Sequence, residues 1–136
     1  MRYNSVLKIT TGDEDGLDTA KYEGIVELDG DSCLITYHEL DVDNAELVPT
    51  DIVVRNGSTV TISRRGKRPM EMHITENTRH ETPYATPYGN LTLCTHDKKV
   101  SFSADENGGR LEAVYAVYLN DVYSADRKVI IEFSTI

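Results

Sequence analysis

The sequence predicts an all-β protein, closing as a single antiparallel up-and-down β-barrel of about 8–10 strands. Three observations lead there. Apolar and polar residues alternate at period two in segment after segment. Turn-forming clusters rich in Gly, Asp and Asn separate those segments at intervals of roughly eight to twelve residues. No segment keeps a helical period over three turns. Short turns make neighbours in sequence pair as hairpins, and a meander of this many strands exposes two long edges unless it closes on itself.

The elements follow in order. Val6–Thr10 opens as a strand, and the polar run from Thr11 to Gly16 reads as its turn. From Leu17 strand character resumes, with Tyr22, Gly24, Val26 and Leu28 on one face; Asp29–Ser32 turns it back into a partner strand ending at Leu40. A turn with two central residues sets Leu28 opposite Cys33, Val26 opposite Ile35, Gly24 opposite Tyr37 and Tyr22 opposite Glu39. An aromatic over a glycine fills the space of the missing side chain. The same register places the Glu39 carboxylate on a face otherwise made of Cys33, Ile35 and Tyr37.

Asp41–Val48 is expected as a polar link, with a helical turn, ended by Pro49. Asp51–Arg55 and Thr59–Arg64 then form a hairpin around Asn56-Gly57-Ser58, since Asn-Gly tolerates φ > 0 at both positions. Matching Ile52 and Val54 to Ile62 and Val60 requires a three-residue loop with a bulge in place of the simplest turn, and it carries Arg64 onto the inward face. Met70, Met72 and Ile74 share one face of the next strand. The segment His80–Leu91, with Thr-Pro-Tyr twice, is where a run of strands stops, turns and restarts. Leu91–Ala104 is a long extended region, and Leu111, Ala113, Tyr115, Val117 and Leu119 alternate cleanly. Val129–Phe133 is apolar on both faces, which leaves its register open.

Composition narrows the function. The 136 residues are expected as one domain, 1–136, exposing about 7,100 Å² of surface when folded. Eight Tyr against two Phe and no Trp suit sheet, where the ring packs and the hydroxyl stays wet. A formal net charge of −9 disfavours nucleic acid and anionic membranes as partners. The first residues lack the apolar run of a signal peptide, no stretch is long and apolar enough to span a bilayer, and a cytoplasmic location is expected. Cys33 shares a face with Ile35, whereas Cys94 is out of phase with Leu93; one is expected to face in and the other out, as free thiols.

Four features carry a family resemblance: the Glu23-Gly24 strand before an Asp-Gly hairpin, Leu34–Glu39, Val60–Arg64, and Glu81–Tyr84 running on through Pro87–Leu91. Together they resemble the YwiB-like family of small uncharacterised bacterial proteins, over nearly the whole chain. The resemblance implies a lipocalin-like, calycin-like barrel. It implies no activity, cofactor or site residue.

The residues themselves offer one constellation. Tyr37, Glu39 and Arg64, directed inward, make a polar spot in an apolar lumen, and a carboxylate there calls for a cationic partner. The pair either orients a small ligand in the barrel mouth or is a structural ion pair near the barrel end. Tyr84 and Tyr88 follow prolines, which hold them beside the mouth or as covers over an open end. Tyr37, Glu39, Arg64 and Tyr84 are therefore the candidate ligand-binding residues. The basic tip Arg64–Arg68 offers an alternative, a surface contact with protein or RNA, or a homodimer; it lacks the aromatic interleaving of RNA-binding motifs. His38, His73, His80 and His96 have no metal-binding spacing, and no nucleophile or phosphate-loop motif is present. The expectation is a non-enzymatic binding protein without metal or cofactor. A small hydrolase or isomerase using Glu39 is a third class.

Overall fold

Ten strands follow one another as antiparallel hairpins in the computed structural model: β1 (Arg2–Asp13), β2 (Gly16–Asp29), β3 (Ser32–Asp41), β4 (Glu46–Arg55), β5 (Thr59–Arg64), β6 (Met70–Thr75), β7 (Arg79–Thr86), β8 (Gly89–Asp105), β9 (Gly108–Leu119) and β10 (Val122–Thr135). The structure describes residues 1–41, 46–66, 69–75 and 77–136, and of these not the side chains of residues 41, 82, 84–86 and 98. All ten strands lie in one sheet of order β6-β5-β4-β3-β2-β1-β10-β9-β8-β7. The first and last strands pair with each other, from Ser5 opposite Thr135 to Asp13 opposite Arg127. The sheet therefore curls into a nearly closed barrel whose seam falls between β6 and β7.

Alternation accounts for the registers. Val26 faces Ile35 and Leu28 faces Cys33, as the two-residue turn requires. Ile52 pairs with Ile62 and Val54 with Val60 across the three-residue loop, where Asn56 and Gly57 take φ of 54° and 66°. The β2–β3 ladder ends at Ile25–Thr36, so the expected Gly24–Tyr37 and Tyr22–Glu39 partners are not formed as ladder pairs. Beyond that point β2 stays with β1 and β3 with β4, and the two strands splay. Gly24 nevertheless lies under Tyr37: a Cβ there would meet the Thr36 carbonyl oxygen at 2.6 Å and Tyr37 Cβ at 3.1 Å. The Tyr22 and Tyr37 rings sit with centroids 5.0 Å apart.

Three expected boundaries shift. The turn read from Thr11 to Gly16 shrinks to Glu14-Asp15, because β1 and β2 pair out to Asp13–Gly16 and the Asp15 N–H bonds Asp13 Oδ1 at 2.9 Å. Pro49 sits inside β4 instead of ending a polar link. Its carbonyl accepts the Arg65 N–H at 3.0 Å, so its ring nitrogen faces the side where β5 ends and no ladder donor is lost. The expected helical turn falls on residues 42–45, outside the described residues. Pro83 likewise lies within β7, a sheet edge, where a missing N–H is tolerated; the chain reverses at Pro87-Tyr88, and Tyr88 is 99% exposed at the tip instead of covering the barrel.

In a meander, alternate hairpins lie at one end. The turns after β1, β3, β5, β7 and β9 crowd one rim, the mouth; the other turns and both termini form the far end. The far half is filled by Leu7, Val26, Ile35, Val54, Val60, Ile74, Leu111 and Phe133, each at most 3% exposed, and burial of each such aliphatic side chain is worth roughly 1.5–3 kcal/mol. The folded surface is 8027 Å², above the roughly 7,100 Å² of a compact protein of this size, because hairpin tips and an open lumen add area.

Cys33 and Cys94 are both free and both buried. Burial pushes the Cys33 thiol up to about 11, so it remains a thiol. Cys94 does not belong to the inner core, yet it is only 1% exposed. Arg79 of β7 lies over it and donates from Nε to Sγ at 3.0 Å, which is why a residue out of phase with the core is nevertheless covered.

Candidate functional site at the barrel mouth

Glu39 is inward because β3 alternates Cys33, Ile35, Tyr37 and Glu39 on the core face, and Arg64 is inward because β5 alternates Val60, Ile62 and Arg64. The two meet across β4. Arg64 Nη2 donates to Glu39 Oε1 at 3.2 Å. Arg64 Nε lies 2.7 Å from Glu39 Oε2, but its N–H is not aimed at that oxygen, so this approach is an ion contact without a hydrogen bond. The Tyr37 hydroxyl donates to Oε1 at 3.3 Å. Burial, and next the Glu39 carboxylate, push the Tyr37 hydroxyl well above its ordinary pKa, so it stays protonated and a donor; the Arg64 guanidinium opposes this. The pair is not sealed off: the Arg64 side chain is 39% exposed and that of Glu39 is 21%.

Tyr37, Glu39 and Arg64 all line one cavity of about 350 Å³ inside the mouth half of the barrel. Its floor is apolar, made by Ile9, Ile52, Ile62, Met72, Val129 and Ile131; in its upper wall Thr11, Ser124 and Arg127 join the three polar residues on one side, and Met70, Leu93 and Leu119 line the other. The volume lies within the range of small-ligand pockets. A larger hollow of about 660 Å³, lined by Met1, Arg2, Glu27 and Asn56 among others, lies at the far end and is more open; we place the site at the mouth for its enclosure and its convergent polar groups.

Tyr84, the fourth predicted residue, pairs through its backbone with Leu91 in the β7–β8 hairpin; its side chain lies outside the described residues. In the basic tip, Arg65 is held by an ion pair with Asp51, and Lys67 and Arg68 lie outside the described residues.

Two site residues escaped the sequence reading. Arg127 shares its face of β10 with Val129, Ile131 and Phe133, and counting back two from Val129 would have found it had that strand's register been legible. Tyr115 was read only as part of the apolar stripe of β9. Its hydroxyl lies against the Arg127 guanidinium; burial raises its pKa, and Arg127 opposes the rise.

A second polar cluster closes the seam. Asp97 of β8 has a fully buried side chain. Its Oδ2 accepts the Thr75 N–H at 2.8 Å, its backbone N–H donates to the Thr78 carbonyl at 3.0 Å, and its carbonyl accepts the Asn77 N–H at 3.0 Å. His80 Nε2 lies 3.6 Å from Oδ2, and the His73 and His80 ring centroids are 6.0 Å apart. Burial raises the Asp97 pKa, against the Thr75 N–H and the nearby His80 and His96. Among the described residues no group of three His, Cys, Asp or Glu is arranged to hold a metal ion, and no helix is long and apolar enough to cross a membrane.

An antiparallel barrel with one packed half and one hollow half, its rim polar on one side, is the class of protein these features define. A family model described as a domain of unknown function (DUF1934) matches residues 5–131, and the chain belongs to that family. Among solved structures, the crystal structure of ywiB protein from Bacillus subtilis is similar at a TM-score of 0.73, covering 99% of this chain and 92% of that one. The two share 18% identity, so the likeness speaks to the fold. A search of curated proteins finds no match.

Proposed function

We propose that the protein is a non-enzymatic binding module that holds a small ligand in the cavity at the barrel mouth. The observation that carries this reading is convergence: Tyr37 and Glu39 on one otherwise apolar face and Arg64 on another, set there by alternation, line a single ligand-sized cavity. Binding without chemistry is favoured because Glu39, the carboxylate available to act as a base, is engaged by Arg64 and Tyr37. We place the binding in the cytoplasm, where thiols such as Cys33 and Cys94 stay reduced.

Native mass spectrometry of protein purified gently from its own host, against a denatured control, tests the reading. Extra mass of a few hundred daltons (on the order expected for drug-sized ligands) that disappears on denaturation, and is absent from Arg64→Met, is the expected result. A bare chain mass in repeated preparations, together with no shift in thermal midpoint across a metabolite library, would overturn it.

A second reading, contact with another protein chain through the mouth rim, is favoured by exposed apolar residues on its hairpins: Leu17 at 54%, Leu47 at 62% and Val122 at 68% exposure. A dimer in the same spectrum that dissociates in Val122→Asp would support it.

A further inference from the structure

We propose that the ligand is an amphipathic monoanion, a carboxylate on a compact apolar tail, with the carboxylate seated on Arg127. This inference rests on the cavity-binding reading above and goes beyond it in naming the head group, its anchor and the orientation of the ligand.

Depth along the strands sets the orientation. On β10, Arg127 lies nearer the mouth than Val129 and Ile131; on β1, Thr11 lies above Ile9; on β5, Arg64 lies above Ile62. The polar groups thus form an arc near the opening on β1, β3, β5 and β10, with Met70, Leu93 and Leu119 completing the rim on the β6, β8 and β9 side, and an apolar floor lies beneath. A molecule with one polar end and an apolar body matches both layers when its tail points down.

Charge sets the head group. The lining holds two guanidiniums, Arg64 and Arg127, and one carboxylate, Glu39. Glu39 is committed to Arg64 at 2.7 and 3.2 Å. Among the described residues the carboxylate paired with Arg127 is that of Asp13, loosely, with Oδ2 at 3.9 Å from Nη1, on a rim side chain that does not line the cavity. One positive charge is left over inside a chain whose net charge is −9, so the excess is local to the cavity. A cationic ligand would meet two guanidiniums there. A doubly charged phosphate would bring a second negative charge toward Glu39. A single carboxylate matches the one unspent charge and the planar fork of the guanidinium. The Tyr115 hydroxyl lies beside Arg127 and lines the same cavity, where it can donate to a carboxylate oxygen on the same anion.

Volume sets the length. At roughly 30 Å³ per water-sized atom, 350 Å³ holds about a dozen heavy atoms, the size of decanoate.

The test is calorimetric titration of the full chain with decanoate and decyltrimethylammonium, each below its micelle concentration, and with decan-1-ol below its solubility limit. Decanoate is expected to bind at least about tenfold more tightly than decan-1-ol, as a charged hydrogen-bonded head group would give, and the cation more weakly than either. Arg127→Gln is expected to abolish the preference for decanoate while decan-1-ol affinity is retained, and Arg127→Lys, which keeps charge but loses the fork, is expected to recover part of it. Equal binding of all three heads, or a decanoate preference that survives in a folded Arg127→Gln, overturns the head-group assignment and leaves the cavity reading standing. No binding of any of the three overturns this inference, and if native mass spectrometry also finds no ligand the cavity reading falls with it.

Discussion

Glu39 and Asp97 are both inward carboxylates of one barrel, and the protein treats them differently. Glu39, near the mouth, is matched by side chains, the Arg64 guanidinium and the Tyr37 hydroxyl, and keeps partial contact with solvent. Asp97, at the seam, is fully buried and matched chiefly by backbone: Thr75 N–H on its carboxylate, and Thr78 and Asn77 on its own peptide groups. Its Oδ1 has no hydrogen-bond partner among the described residues. The mouth carboxylate belongs to an arc of polar groups beside an open space. The seam carboxylate stands in for strand pairing where β6 and β7 fail to meet. Every other consecutive pair of strands shares at least part of a ladder; at the seam Asp97, with Thr95 Oγ1 donating to the His73 carbonyl at 3.5 Å, bridges β8 to β6 instead.

The contrast predicts a difference in what each position tolerates. The largest effect is expected at the seam. Asp97→Ala leaves the Thr75 N–H buried without an acceptor, which costs on the order of 1–3 kcal/mol, and urea unfolding of the variant should show it as a lowered midpoint with an unchanged slope. A loss no greater than that of a surface substitution would mean that the seam is held by its main-chain bonds alone.

A smaller effect, and of a distinct kind, is expected from Asp97→Asn, which keeps an oxygen for Thr75 but removes the charge. Because burial raises the Asp97 pKa in the folded state, the folded protein holds that proton more firmly than the unfolded chain does. Stability must then fall as pH rises from about 4, the ordinary aspartate value, through the raised value, and level off above it. His80, at 3.6 Å from Asp97, and next the neighbouring His96 limit the fall while they carry charge. The stability of Asp97→Asn relative to the native chain should therefore grow with pH over that window; a constant difference would show that Asp97 titrates as an ordinary exposed carboxylate.

The smallest effect is expected at the mouth. Glu39→Gln keeps a hydrogen-bond acceptor for Tyr37 and loses an ion pair that solvent already screens, so its cost should stay below about 1 kcal/mol. Equal losses from Glu39→Gln and Asp97→Ala would erase the distinction between a ligand-facing and a seam-closing carboxylate.

The same contrast explains what could be read before the fold was known. Glu39 and Arg64 stand on unbroken ladders, where counting by two from Ile35 or Ile62 fixes the face. Asp97 precedes a bulge: pairing with β9 shifts between Asp97 and Lys99, so Leu93, Thr95 and Asp97 lie on the inner side before it and Val100 and Phe102 after it. A count of two carried through that point assigns one half of β8 to the wrong side. Arg127 was hidden for another reason, since a strand apolar on both faces offers no alternation to count from, and Cys94 because its cover, Arg79, comes from a neighbouring strand.

The order of strands and turns, the hairpin registers around Asp29–Ser32 and Asn56–Ser58, and the inward course of Tyr37, Glu39 and Arg64 were all legible from residues close in sequence, because steric preferences of turns and the two-residue period act locally. Where the barrel closes, which face β10 presents, and that Arg127 and Tyr115 meet beside the Glu39–Arg64 pair are set by contacts between strands far apart in the chain. Pairing of the first strand with the last fixes β10 at Asp13–Arg127 and leaves the seam to Asp97, and such long-range matching is a property of the whole sheet that no single segment encodes.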